Sequence, residues 1–98
     1  MKNVNNKQWE LEAEKEGIKN HIYSSLAIAK KTFSSLYNIN VTIEYDPEIY
    51  DQKRFDIHLT VGGSPETVFE DEKKFKKILR GKIDKKTIDL IVLTYEWK

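Results

Sequence analysis

The chain has 98 residues, 39% apolar and 34% charged, which suffices for one core with a radius of gyration of about 13 Å and argues against wholesale disorder. It has no cysteine, which excludes disulfides, thiolate zinc sites and a cysteine nucleophile. Seventeen Lys/Arg against sixteen Asp/Glu leave +1, too even a balance to mark a nucleic-acid binder by bulk charge.

Residues 1–8 are polar and expected to fray, within a single domain spanning 1–98. From Trp9 to Tyr37 the pattern is helical: Ile18, Ile22, Leu26, Ala29, Phe33 and Leu36 fall along one stripe. Gly17 interrupts it, costing about 1 kcal/mol relative to Ala inside a helix, and is expected to separate a loose N-terminal turn from the packed part. Asn38 is an acceptable left-handed stop. Ile39, Val41, Ile43 and Tyr45 then alternate with polar residues, as do Phe55, Ile57, Leu59 and Val61, predicting two strands with one face in the core. Asp46-Pro47 opens the loop between them.

Ser64-Pro65-Glu66 reads as the start of a second helix, with a capping hydroxyl, a preset φ and an acid at the positive dipole end. Thr67 with Glu70 offers an alternative capping box. Val68, Phe69, Phe75, Ile78 and Leu79 supply its apolar stripe, and Gly81 is a plausible stop. A last strand is predicted over Thr87 to Tyr95. The fold expected is α+β, a two-layer α/β sandwich of order α-β-β-α-β, with a three-stranded mixed sheet and two helices on one face. Insertion of the last strand beside the first would make it antiparallel to that neighbour and parallel to the second.

The last strand is apolar on both faces, unlike the other two. Ile88, Leu90 and Val92 form one set, and Ile91, Leu93, Tyr95 and Trp97 the other. One helical layer shelters only one set. Burying each further side chain is worth roughly 1.5–3 kcal/mol. The cover is either the chain's own N-terminal segment with Trp9, or a second copy or another protein. The candidate interaction residues are Ile91, Leu93, Tyr95 and Trp97, taken as the outward set.

Charge is neutral only in sum. Residues 44–72 carry nine acids and two bases, net −7; residues 73–86 carry eight bases and one acid, net +7. Lys77, Arg80, Lys82, Lys85 and Lys86 of the basic stretch could meet phosphates, or could simply be the solvated, dipole-matched end of a helix. Glu44, Asp46, Glu48 and Asp51 are oxygen ligands near one loop, but no D-x-D-x-D-G spacing accompanies them, so no metal is expected. Asp56 and His58 share one strand face, where Asp could orient an imidazole; no paired nucleophile is evident. No nucleotide, hydrolase or zincin motif occurs, and no cofactor or small-molecule ligand is expected.

The stretch from Phe33 through Tyr95, with Asp46-Pro47-Glu48, Asp51, Phe55-Asp56-Ile57-His58-Leu59 and Ile88-Asp89-Leu90-Ile91-Val92, resembles a group of small uncharacterised prokaryotic α+β proteins. That resemblance implies a stand-alone accessory or antitoxin-like partner of another protein. The element order is also similar to a type II KH domain lacking one helix, which implies single-stranded RNA binding. Gly81-Lys82-Ile83-Asp84 departs from the G-x-x-G loop of that family.

The expected function is a non-catalytic protein-interaction module, homodimeric or bound to another protein through the outward sheet face. The alternative is an RNA-binding module using residues 73–86. No run reaches the roughly 18–20 apolar residues of a membrane span and no signal-peptide segment follows Met1, so no membrane partner is expected and a cytoplasmic location is.

Overall fold

A computed structural model describes residues 8–45 and 53–98. The helical stretch at the N-terminus is two helices, α1 (Gln8–Glu16) and α2 (Lys19–Thr32). Gly17 divides them at φ +75°, a conformation that a Cβ makes costly. The Gly17 N–H reaches the Glu14 carbonyl at 3.0 Å and the Ile18 N–H reaches Ala13 at 2.9 Å. That pair of bonds is a Schellman motif, so Gly17 ends α1 rather than kinking a longer helix. Trp9 and Ala13, one turn apart, face the core, and α1 is also tied to the sheet by ion pairs from Lys53 to Glu12 (2.5 Å) and Glu16 (3.4 Å).

α2 stops at Thr32, six residues before the expected stop at Asn38. The reason lies across the fold. The Asp71 carboxylate accepts from both the N–H and the hydroxyl of Ser34, each at 3.1 Å, and turns the chain outward after Phe33. Strand β1 (Leu36–Tyr45) therefore starts early, with a register irregularity between Leu36 and Asn38. It pairs antiparallel with β2 (Lys53–Val61), Val41 opposite Ile57.

α3 (Pro65–Lys82) starts as expected: the Ser64 hydroxyl accepts from the Thr67 N–H at 3.2 Å, with Pro65 in the first turn. Its buried residues are Val68, Asp71, Phe75 and Leu79; Phe69 and Ile78, expected in that stripe, are 55% and 40% exposed. Gly81 lies inside the helix rather than stopping it, because Ile83, two residues on, is buried and its N–H still bonds Leu79. One further turn, α4 (Lys85–Ile88), precedes β3 (Ile91–Trp97).

The sheet order is β1-β2-β3, with β3 parallel to β2. The last strand does not insert beside the first; β2 is the middle strand and β3 an edge. The strand expected over 87–95 is also corrected, since Ile88 belongs to α4 and Leu90 to the turn that follows. The surplus apolar set thus shrinks to Val92. The register Ile57↔Leu93 and Leu59↔Tyr95 puts Ile91, Leu93, Tyr95 and Trp97 in the row of Phe55, Ile57, Leu59 and Val61, on the helix side rather than the outward face. The outward face carries Thr42, Asp56, His58, Thr60, Thr94 and Glu96.

Lys53 holds the Glu12 carboxyl below its ordinary value of 4.5, and Thr87 does the same for Asp84 from 3.8. A carboxyl depressed by folding stabilises the fold above its unfolded pKa, and that contribution fades as pH falls through the depressed value. The melting temperature is therefore expected to be insensitive to these groups near neutrality and to fall below pH 4.5. Calorimetry against pH on the wild type and Glu12→Gln checks this. Removing the depressed carboxyl should flatten the acid limb, and an unchanged limb would count against the Lys53 pair as its cause.

Candidate interaction edge

β3 is held to β2 through its even-numbered residues. The Phe55 N–H bonds the Leu90 carbonyl at 2.7 Å, and at the far end the Lys98 N–H bonds the Val61 carbonyl at 2.9 Å. In a parallel ladder, alternate residues of a strand bond to the same neighbour. The N–H and C=O groups of Ile91, Leu93, Tyr95 and Trp97 therefore point away from β2, along an edge that no strand among the described residues pairs. These are the four residues singled out from the sequence. Their availability lies in the plane of the sheet and not on its outward face.

Beside this edge runs a groove of about 430 Å³ between α3 and β3. Phe75, Leu79, Ile88, Ile91 and Leu93 make an apolar floor, with Val92 at the lip. Glu72, Lys76 and Arg80, one turn apart on α3, form the rim. Tyr95 donates its hydroxyl to Glu72 Oε1 at 2.6 Å, and Lys76 Nζ lies 2.8 Å from Oε2. Burial pushes the Glu72 carboxyl up, but the bonds from Lys76 and Tyr95 outweigh it and leave the group below its ordinary value. Burial together with the Glu72 carboxylate drives the Tyr95 phenol far above its ordinary range. Glu72 is thus a satisfied anion. Arg80 pairs with no carboxylate among the described residues. No protein-family model, curated protein or solved structure matches the chain.

α1 does not cover this edge. Trp9 packs on Tyr23, with ring centroids 5.3 Å apart, and α1 borders β1 at the opposite side of the sheet. Trp97, the last residue of β3, is 43% exposed.

Lys77, Arg80, Lys82, Lys85 and Lys86 are all exposed. At 100° per residue, Lys77 and Lys82 point about 140° apart and Arg80 and Lys82 about 160° apart, so they spread around the helix instead of forming one face. Lys85 is occupied by Asp89 at 3.4 Å. Asp56 and His58 meet on the outward face through a residue that local sequence could not supply. The Thr94 hydroxyl donates to Asp56 at 2.8 Å, and its oxygen lies 2.7 Å from His58 Nδ1. With that hydroxyl proton committed to Asp56, Thr94 accepts from Nδ1–H, leaving Nε2 at 3.2 Å from Glu96. The groove lies across the sheet from this chain of bonds. No cluster of three metal-ligating side chains occurs among the described residues, and Asp46, Glu48 and Asp51 lie outside them. No described helix is long and apolar enough to cross a membrane.

Proposed function

We propose that the chain is a non-catalytic protein-interaction module, an accessory protein that accepts an extended partner segment on the free edge of β3. What carries this reading is the coincidence of four outward-pointing peptide groups with an apolar groove alongside them. A long uncovered edge strand invites pairing and is ordinarily blunted by charge, proline or a bulge. β3 has neither Pro nor Lys between Ile91 and Trp97, and its single charge, Glu96, points to the outward face beside His58. Strand addition uses such an edge twice, with main-chain bonds giving affinity and side-chain pockets giving selectivity.

The probe is a capped peptide of alternating Thr and Val, seven residues long to match β3. Titrated into the labelled protein, it should shift and protect the amides of Ile91, Leu93, Tyr95 and Trp97, leaving those of β1 unaffected. Leu93→Pro deletes one outward N–H without touching the ladder to β2 and should weaken binding by about tenfold or more. Trp97→Pro, at a half-exposed strand end, repeats the test where packing is least disturbed. Light scattering asks the same question of the protein alone. A strict monomer whose four edge amides ignore the peptide sinks the proposal.

A further inference from the structure

Granting that reading, the charge around the groove points to the chemistry of the segment: an acidic strand, with carboxylates next to apolar side chains. The helical wheel of α3 is fixed by its buried residues Val68, Phe75 and Leu79. Counting 100° per residue from Glu72, which is partly buried at the groove rim, Lys76 lies at about 40° and Arg80 at about 80°. The rim of the groove therefore carries two bases, Lys76 and Arg80, and one acid. That acid is already spent, one oxygen on Tyr95 and the other on Lys76. Lys76 is spent in the same pair, and Arg80 has no carboxylate partner among the described residues. On the other face of β3, Glu96 Oε1 lies 3.2 Å from His58 Nε2, away from the groove. Among the described residues, the groove rim is left with one unpaired base, Arg80, over an apolar floor.

A strand added to β3 would place every second side chain over the groove. Apolar residues there would cover Ile91 and Leu93, and a carboxylate in the same row would reach the Arg80 guanidinium, whose planar fork suits it. The same charges argue against a second copy as the occupant. Two copies joined antiparallel through β3 would set two α3 rims side by side, bringing the bases of one toward the bases of the other. Like charges in that arrangement oppose association.

Three capped heptapeptides separate these outcomes: alternating Glu-Val, Lys-Val and Thr-Val, each titrated against the intact chain by fluorescence anisotropy. The Glu-Val peptide is expected to bind at least about tenfold tighter than the Lys-Val peptide at 0.01 M salt, and the gap should narrow as salt rises to 0.1 M and the screening length falls from roughly 30 to 10 Å. Arg80→Glu, at an exposed position, should erase or reverse the preference without altering the melting temperature appreciably. Equal binding of all three peptides, blocked by Leu93→Pro, would overturn the acid preference and leave strand docking standing. A dimer in light scattering, disrupted by Leu93→Pro, would instead name a second copy as the occupant and overturn this inference. No binding by any peptide, with a strict monomer, removes both.

Discussion

Phe75→Ala is expected to cost about 3–5 kcal/mol of folding stability, whereas Phe69→Ala, six residues earlier on the same helix, should stay within about 0.5 kcal/mol. Both phenylalanines read as one apolar stripe in the sequence. The fold separates them. Phe75 is 1% exposed and stacks obliquely on Phe33, with centroids 5.9 Å apart, while Phe69 is 55% exposed. Alanine is the best helix former, so neither change weakens α3 itself and the difference reports packing. The loss at position 75 has two parts: the transfer energy of the ring, and the void it leaves beneath Leu79 and Leu93. Because the void would join the groove, water can enter, which favours the lower end of the range. Against a total of roughly 5–15 kcal/mol for a domain of this size, even that end is severe. At about 4–8 °C per kcal/mol, the midpoint should fall by about 12 °C or more. Denaturant unfolding with an unchanged slope would confirm the assignment; a cost under about 1 kcal/mol would mean the α3–β3 wall is not packed.

What the sequence discloses is the chemistry that acts locally. Gly17 marks a break because φ +75° is open to glycine, and Ser64-Pro65 marks a start because the cap needs only a hydroxyl and a preset φ. The alternation in β2 survives because one face of that strand meets the helices along its whole length. What it conceals depends on distant partners. The pattern through Leu36 suits a helix, and it is Asp71, 37 residues beyond the Ser34 it binds, that ends α2 at Thr32. Ile88, Leu90 and Val92 alternate as strand residues do, yet a buried Thr87 and its bond to Asp84 wind the first of them into α4. The candidate residues Ile91, Leu93, Tyr95 and Trp97 are legible as a greasy surplus, but the register turns their side chains to the helix side and leaves their peptide groups on the open edge. Period-two patterning distinguishes the faces of a strand and carries no information on which edge is paired, so the exposed edge of β3 appears only with the strand order.

That junction between α2 and β1 supplies the second large effect. Asp71→Ala is expected to cost about 1.5–3 kcal/mol, the range for hydrogen bonds to a charged acceptor. The carboxylate is 8% exposed and receives two donors from Ser34. The two are not equivalent. Ser34 itself is exposed, so its hydroxyl can turn to water, and Ser34→Ala should cost less than about 1 kcal/mol. The backbone N–H has no such freedom, because its direction is set by the chain reversal between Phe33 and Leu36. Asp71→Asn keeps an acceptor oxygen without the charge and should fall between the two. Losing the carboxylate also removes what opposes further winding of α2, since the residues through Leu36 have helical periodicity of their own. Asp71→Ala should therefore speed exchange of the Ser34 amide selectively, and the start of β1 should loosen before its middle. If Asp71→Ala and Asp71→Asn proved equally mild, with Ser34 exchange unchanged, the helix would be ending for a reason other than this bond.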